Sequence, residues 1–266
     1  VTGVQTCALP ICAGDAARGA TAYVTLEPCS HHGKTPPCAD ALVNAGVARV
    51  VGALTDPDPR VSGRGFARLR EAGIDVVEGV CEAEARALNL GFILRVTRNR
   101  PLVALKIAQS ANGRIADASG KTRWLTSETA RAHAHLLRAT HDAILIGVGT
   151  ALADDPELTC RLPGMETRSP VRIVVDSHLR LPLTSKLTRG ARRAPLIVAA
   201  TTSGLETQHA RDDQLQAAGV EVLPLPARDG RVDLSALSHA LAERGLTRLL
   251  VEGGAQTHVG FLKAGL

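Results

Sequence analysis

Apolar and polar positions follow two different periods along the chain, and the two periods alternate. In the first part, apolar runs at residues 20–26, 48–54 and 74–78 predict strands, whereas residues 38–45 and 82–96 have helical periodicity. This regular exchange of strand and helix predicts an α/β fold that is built largely on parallel sheets.

The same alternation starts again after a basic connector at residues 98–101, which we interpret as a domain boundary. Helices are predicted at residues 127–138 and 234–244, and a surface loop at residues 161–170. Further strands are predicted at residues 102–107, 143–147, 171–176, 196–200, 220–223 and 248–252. We therefore expect two α/β domains, at residues 13–98 and 101–266.

Composition narrows the range of functions. The net charge of +5 suits anionic ligands, either phosphorylated metabolites or nucleic acid, although a solvated basic surface explains it equally well. The apolar runs are too short to cross a membrane, so we expect no membrane partner. Six scattered cysteines favour a reducing compartment over a disulfide framework, and we expect a cytoplasmic protein.

Both ends of the sequence are abrupt. DNA that would encode residues 1–12 matches a common short-read sequencing adapter, and we interpret this segment as an assembly artefact rather than a short native lead-in. Residues 261–266 stop inside an amphipathic pattern. We therefore expect the second domain to lack its last strands and the chain as written to fold poorly, because an unpaired sheet edge favours aggregation.

The strongest local motif is Thr-Leu-Glu-Pro-Cys-Ser-His-His-Gly-Lys-Thr-Pro-Pro-Cys at residues 25–38. Cys29 ends a predicted strand, and Cys38 opens a predicted helix, whose amino terminus stabilises a thiolate. Zinc deaminases of bases place two cysteines in this way and add a His-x-Glu pair. Their usual spacing has two residues between the cysteines, whereas eight separate Cys29 from Cys38. The alternative is a pair of buried cysteines that bind no metal.

The long spacing and the string inside it resemble the deaminase part of the bifunctional deaminase/reductase family of riboflavin biosynthesis. The resemblance implies an incomplete, cytidine-deaminase-like α/β/α domain in which Cys29 and Cys38 are two ligands of one Zn²⁺. It assigns His31 and His32 to the substrate-side loop. No His-x-Glu precedes Cys29, so a third ligand and the catalytic Glu are absent, and we expect this chain not to deaminate.

The second domain resembles the reductase part of the same family, in strings at residues 102–116, 119–127, 137–138, 149–161, 175–177 and 251–254. The resemblance implies a dihydrofolate-reductase-like α/β domain that uses NADPH. Its reaction is hydride transfer to the ribosyl group of 5-amino-6-(5-phosphoribosylamino)uracil, giving the ribityl form. In the intact protein, deamination of 2,5-diamino-6-(5-phosphoribosylamino)pyrimidin-4-one precedes this step. Homo-oligomers formed through the reductase domain are also implied.

Several residues of these strings have a physical rationale as well. Gly253 and Gly254 stand between a predicted strand and a helix, where backbone approaches a phosphate closely, although a plain strand–helix turn would look the same. Arg138 and Arg161 suit the substrate's phosphate because guanidinium binds phosphate through two hydrogen bonds; each could instead form a surface ion pair.

The resemblance also assigns site residues. Glu252 is the catalytic candidate near the reacting carbon, and Lys106 is a second candidate without a defined role. Thr150 and Asp154 share one face if their segment is helical. The residues implied in substrate binding are Thr122, Arg138, Leu158, Arg161 and Glu252. Those implied in cofactor binding are Ala108, Trp124, Thr150, Asp154, Ser177, Gly254, Ala255, Gln256, Thr257, His258, Val259 and Gly260; Trp124 could alternatively anchor a core.

Two other hypotheses remain. A basic nucleic-acid-binding or RNA-editing protein would need clustered cations and stacking aromatics, but the chain has one Trp, one Tyr and three Phe, with its basic residues scattered. A reductase with a decayed deaminase is disfavoured by the intact cysteine string. No Gly-x-Gly-x-x-Gly follows a predicted strand, which argues against a Rossmann dehydrogenase. We thus expect a riboflavin-pathway enzyme that, as written, has little reductase activity.

Overall fold

The computed structural model describes residues 12–33, 35–115 and 125–266. The chain divides into two compact units, with the division between Arg98 and Asn99. Each unit has its own sheet and its own core, and each is described by itself. Thr122, Trp124 and all but Cys12 of the adapter-like segment lie outside the described residues.

The first unit alternates strands and helices, as its sequence pattern predicts. Its elements are β1 (Thr21–Val24), α1 (Cys38–Asn44), β2 (Arg49–Gly52), α2 (Arg64–Glu71), β3 (Asp75–Glu78) and α3 (Glu82–Arg98). The strands form a parallel sheet in the order β1-β2-β3. Leu42, Val50 and Phe66 lie at the centre of its core, where α1 and α2 pack on the sheet. Each of the three strands is shorter than predicted, because the residues at the ends of the predicted ranges belong to loops.

A buried carboxylate fixes the loop that joins β2 to α2. The side chain of Glu27 follows β1 and is only 3% exposed. Its two oxygens accept hydrogen bonds from the main-chain N–H groups of Asp56 (3.0 Å), Gly63 (2.9 Å), Gly65 (2.7 Å) and Phe66 (3.3 Å). The carboxylate therefore caps the amino terminus of α2, where negative charge is favoured.

The second unit contains eight of the strands in the described residues. They are β4 (Leu102–Leu105), β5 (Ala143–Gly147), β6 (Val171–Val175), β7 (Leu196–Thr201), β8 (Glu221–Leu225), β9 (Ala227–Arg228), β10 (Arg231–Val232) and β11 (Arg248–Val251). Six of them form one parallel sheet in the order β4-β11-β5-β6-β7-β8, which confirms the predicted parallel architecture. The antiparallel pair β9-β10 was not predicted, because two-residue strands leave no periodic signal.

Helices connect these strands. They are α4 (Glu128–Ala139), α5 (Val148–Asp154), α6 (Lys186–Arg189), α7 (Thr202–Thr207), α8 (His209–Ala217), α9 (Leu234–Glu243) and α10 (Ala255–Lys263). Among these, α4 and α9 agree with the sequence prediction to within a residue or so. The loop predicted at residues 161–170 contains a short 3₁₀ turn, Glu166–Arg168. Within the described ranges, no helix is both long enough and apolar enough to cross a bilayer.

The central strands are buried on both faces, which explains their continuous apolar runs. Along β5, Ile144 and Ile146 point into one core cluster, and Ala143 and Leu145 into the other. Because β11 pairs with β4 on one side and with β5 on the other, the segments that follow these three strands meet at one edge of the sheet. That edge carries the candidate site.

Candidate functional site

Three charged side chains meet at the carboxyl edge of the sheet. Lys106 directly follows β4 and Glu252 directly follows β11, so the sheet itself places them side by side. Arg138 reaches them from α4 and binds Glu252 through two hydrogen bonds, Nε to Oε1 and Nη2 to Oε2, both 2.8 Å. Lys106 Nζ lies 3.9 Å from Glu252 Oε2. The structure thus brings together both predicted catalytic residues and one predicted phosphate ligand.

Burial makes the Arg138–Glu252 pair a fixed part of the site. The Glu252 side chain is 6% exposed and that of Arg138 is 13% exposed. Arg138 also donates from Nη1 to the carbonyl oxygen of Thr159, at 3.1 Å. Since a guanidinium has five N–H donors, these contacts leave one on each Nη for a ligand. The observed role of Arg138 is therefore to hold Glu252 in place. Its role as a phosphate ligand stays a prediction.

A cavity of about 500 Å³ opens beside these residues, within the range of small-molecule sites. Its lining includes the cationic side chains of Lys106, Arg131, Arg138 and Arg161, together with two histidines, and no carboxylate among the described residues. A concave surface with one sign of charge concentrates ligands of the opposite sign. The cavity is therefore suited to an anionic molecule.

A second cavity, of about 450 Å³, lies at the opposite edge, near the amino ends of β6, β7 and β8. Among the described residues, its charged lining consists of Glu221 and Arg244, which form an ion pair with each other at 2.8 Å. Because that pair neutralises itself, this cavity offers no comparable attraction for an anion.

His135 is a site residue that the sequence analysis missed. It lines the cavity from α4, and its Nδ1 lies 3.2 Å from the main-chain nitrogen of Arg161. Burial lowers the pKa of His135, and the positive charges of Arg138 and Arg161 lower it further. The sequence feature that could have identified His135 is its position three residues before Arg138, which puts both side chains on one face of the predicted helix.

The segment at residues 155–161 carries Arg161 to the rim of the cavity. Its backbone is left-handed at Asp155 (φ 40°) and at Leu158 (φ 59°). The Leu158 side chain is buried in the core, so its predicted contact with substrate would have to come from the main chain. The Arg161 side chain is half exposed, with Nη1 3.2 Å from Glu157 Oε2.

A buried arginine holds the start of this segment in place. Arg172 on β6 is 1% exposed and donates to three carbonyl oxygens, those of Glu157 (3.4 Å), Gly190 (3.0 Å) and Ala194. Burial lowers its pKa to about 10, to which the nearby charge of Arg193 contributes. Arg172 therefore ties the start of the 157–161 segment to the loop after α6.

A Gly253–Gly254 turn joins β11 to α10 beside the charged residues. A Cβ on Gly253 would lie 2.9 Å from Ile146 Cγ2 and 3.0 Å from Thr150 Oγ1, and Gly254 has φ +73°. Both positions therefore require glycine. Thr150 and Asp154 both lie on α5, so the segment is helical, which is the condition on which the two residues were expected to share one face. The hydroxyl groups of Thr150 and Thr257 flank the turn.

The other predicted cofactor residues lie around the same edge. Residues 255–260 form the first turns of α10, and His258 Nε2 is 3.3 Å from the Val251 carbonyl oxygen. Ala108 lines the cavity. Ser177 follows β6, where its hydroxyl oxygen accepts a hydrogen bond from Val232 N at 3.2 Å. Asp154 is exposed at the end of α5.

In the first unit, the two predicted zinc ligands lie close together. The main-chain N–H of Cys38 donates to Cys29 Sγ at 3.3 Å, and that of Ala39 donates to the Cys29 carbonyl oxygen. In the part of the chain that the structure describes, no group of three or more His, Cys, Asp or Glu side chains could hold a metal ion. These residues therefore supply two thiols of a possible site and not a complete set of ligands.

The second unit is thus an α/β domain whose site lies at the carboxyl ends of a parallel sheet, as in ligand-binding domains of this class. Residues 101–266 match the family model described as the RibD C-terminal domain. The chain belongs to the RibD family, and its second unit has the dihydrofolate-reductase-like fold of that family.

The relatives agree with this assignment. The riboflavin biosynthesis protein RibD of Actinobacillus pleuropneumoniae is 44% identical over 93% of this chain and 64% of its own length, so the chain spans somewhat less than two thirds of that relative. The structure of Acinetobacter baumannii RibD aligns with a TM-score of 0.81 and 38% identity over 96% of this chain and 68% of that one. A Thermotoga maritima diaminohydroxyphosphoribosylaminopyrimidine deaminase/5-amino-6-(5-phosphoribosylamino)uracil reductase aligns with a TM-score of 0.76 and 37% identity, over 93% and 65% of the two chains.

Proposed function

We propose that the second unit reduces the ribosyl group of 5-amino-6-(5-phosphoribosylamino)uracil to the ribityl form with NADPH. The observation that carries this proposal is the Lys106–Glu252–Arg138 cluster, which stands between a cation-lined cavity and a Gly-Gly turn. An anionic substrate suits the cavity, and the Thermotoga relative is described as this reductase.

The Gly253–Gly254 turn and α10 suit the diphosphate of the cofactor. Glycine at both positions leaves the backbone open to close approach, and the amino terminus of α10 favours an anion. The hydroxyl groups of Thr150 and Thr257 add hydrogen-bonding groups on either side. When bound, NADPH supplies the hydride that the reaction needs.

The charged cluster positions the substrate and moves a proton. Arg138 holds the Glu252 carboxylate at the edge of the cavity, where it accepts hydrogen bonds from ribose hydroxyl groups. Hydride addition to C1′ of the ring-opened imine leaves its nitrogen in need of one proton. Lys106 lies beside Glu252, so we assign proton donation to its ammonium group. Arg161 and Arg131, farther along the cavity wall, provide positive charge for the 5′-phosphate.

Loss of substrate-dependent NADPH oxidation tests this proposal. The assay follows absorbance at 340 nm in the polypeptide made from the complete reading frame that contains these residues. We expect Glu252→Gln and Lys106→Met each to lower kcat about 100-fold, in the range of general acid–base contributions, while exposed Lys263→Met has no effect. Oxidation that persists unchanged in Glu252→Gln would overturn the assignment.

For the first unit, we propose that it is part of a zinc-dependent deaminase domain, since the Thermotoga relative is described as a deaminase as well as a reductase. The residues present here are not expected to deaminate by themselves. Cys29 and Cys38 would be two of the zinc ligands, and no step is assigned through the metal because two thiols do not complete a catalytic site. Among the described residues, Cys12, Cys29, Cys81 and Cys160 form no disulfide, which supports the proposal of a reducing, cytoplasmic setting. We also propose that the protein forms homo-oligomers through its reductase domain.

A further inference from the structure

Three contacts fasten the 159–161 segment to α4. Arg138 Nη1 donates to the Thr159 carbonyl oxygen at 3.1 Å, and Cys160 Sγ donates to the His135 carbonyl oxygen at 3.4 Å. The third contact joins the Arg161 main-chain nitrogen to His135 Nδ1 at 3.2 Å. Of the three, only this last one acts directly on the residue whose guanidinium reaches the rim of the cavity.

The direction of that third contact fixes the state of the imidazole ring. A main-chain nitrogen can only donate, so Nδ1 must carry a lone pair, and in the neutral ring the proton then resides on Nε2. Burial and the charges of Arg138 and Arg161 lower the pKa of His135, outweighing a hydrogen bond to the Thr159 main chain and the charge of Glu252, and so favour this neutral ring. Protonation at Nδ1 would place two donors against each other and release the Arg161 main chain.

We propose that His135 is a positioning residue for substrate recognition: its Nδ1 holds the Arg161 main chain so that the guanidinium stands at the rim of the cavity for the substrate's phosphate. This inference rests on the proposed reductase function. Arg161 needs such support because its segment has left-handed backbone at Leu158 and its own side chain is half exposed. An unanchored Arg161 would bind phosphate only after its backbone had been ordered.

Substitution of His135 by Asn and by Gln distinguishes the positioning role from a direct contact between His135 and substrate. Asn branches at Cγ as His does, so Asn Oδ1 takes the place of Nδ1, whereas Gln reaches the place of Nε2. We therefore expect His135→Ala and His135→Gln to raise KM for the phosphorylated substrate about five-fold, the size of one hydrogen bond, with kcat nearly unchanged. His135→Asn restores the wild-type KM, and exposed His239→Ala is the matched control.

A sharper test asks whether the effect of the His135 substitution on KM depends on the presence of Arg161. In a double-mutant cycle, His135→Ala adds little to the KM of Arg161→Ala, because both changes remove the same interaction. The KM for NADPH and for the dephosphorylated substrate stays within two-fold of wild type in every His135 variant. Independent, multiplicative effects of the two substitutions, or rescue by Gln instead of Asn, would overturn the proposal.

Binding of ribose 5-phosphate, measured by calorimetry without NADPH, distinguishes this inference from the proposed function. If His135→Ala weakens that binding about five-fold and His135→Asn does not, the positioning role stands even where the wild type fails to oxidise NADPH, and only the reductase proposal falls. If the wild type turns over substrate but His135→Ala changes neither KM nor ribose 5-phosphate binding, the positioning role falls alone. If the wild type neither turns over nor binds ribose 5-phosphate, both fall.

Discussion

At the scale of single residues, burial decides what a charged side chain is available to do. Arg138 has the shape of a phosphate ligand, but at 13% exposure its guanidinium is committed to Glu252 and to a carbonyl oxygen. Arg161, at the exposed rim, is the freer of the two cations. The sequence identifies both arginines and says nothing about this division, because the burial of Arg138 depends on its contact with Glu252, 114 residues away along the chain.

Arg138→Lys tests the importance of the paired geometry. Lysine keeps the charge but offers no planar fork, so Glu252 loses its two-point support within a nearly buried site. We expect a loss of about 2–3 kcal/mol in the free energy of unfolding, measured in urea, and at least a ten-fold fall in kcat/KM. Arg244→Lys, in the more exposed pair with Glu221, should change stability by less than about 0.5 kcal/mol. Equal effects at both sites would contradict this explanation.

Asp58 gives a residue-scale prediction of pH dependence. A hydrogen bond from the Arg60 side chain, aided by the Arg60 main chain, lowers the pKa of Asp58 to about 2 despite the opposing effect of burial. A lowered carboxyl pKa contributes stability above its unfolded value near 4, and that contribution is lost as the pH falls toward 2.

Comparison of Asp58→Asn with the wild type measures this contribution. Between pH 5 and pH 2.5, the difference between the two proteins in the free energy of unfolding should shrink. Exposed Asp75→Asn serves as the control. A difference that stays constant with pH would show that Asp58 does not titrate as the structure indicates.

At the scale of elements, the sequence reveals the parts whose pattern is long and repeated. The strands β5, β6 and β7 agree with prediction because burial on both faces makes them continuous apolar runs. The helices α4 and α9 agree because their apolar residues recur with the period of a helix. Helices α6 and α7 escape prediction because each is a turn or so long and depends on a local cap, Ser185 or Thr201. His135 escapes because its spacing from Arg138 indicates only a shared helix face, and does not reveal that its ring accepts a hydrogen bond from a main-chain N–H.

The glycine turn before α10 permits a matched comparison. Gly253→Ala places a Cβ against the buried Ile146 and against Thr150, and neither neighbour can move away freely. We expect a loss of about 1–3 kcal/mol in the free energy of unfolding and a marked rise in KM for NADPH. Gly149→Ala is the control: it lies in α5 with open space around its Cβ, so stability should stay the same or rise slightly. Similar losses in both variants would exclude a steric cause.

At the scale of the whole molecule, the sequence gives the two-part organisation and the α/β class, since strand–helix alternation restarts after a basic connector. It does not give the strand order, because the position of β11 between β4 and β5 depends on long-range pairing. The site follows from that order. Lys106 and Glu252 are far apart in the chain and become neighbours only through the β4–β11 pairing.

Because each unit has its own core, we expect a destabilising mutation in one unit to leave the stability of the other unchanged. Glu27→Gln places an amide NH₂ among the four main-chain donors that the carboxylate now satisfies, so buried donors lose their acceptor. We expect a loss of at least about 2 kcal/mol, seen by hydrogen exchange as weaker protection of the first unit, with protection of the second unit unchanged. Glu82→Gln, on the exposed face of α3, is the control. Loss of protection across both units would contradict independent cores.

The place of β11 in the sheet also bears on how the protein is made. Of the six strands that the structure describes in the parallel sheet, a ribosome that has released β4 through β8 has produced all but the one that separates β4 from β5. Until residues 248–252 emerge, the nascent chain has neither the strand that links β4 to β5 nor the carboxylate of its site. Pairing of β4 with the rest of the described sheet must therefore wait until residues 248–251 have been translated, and a chain that stalls or is released before that point is a natural client for chaperones.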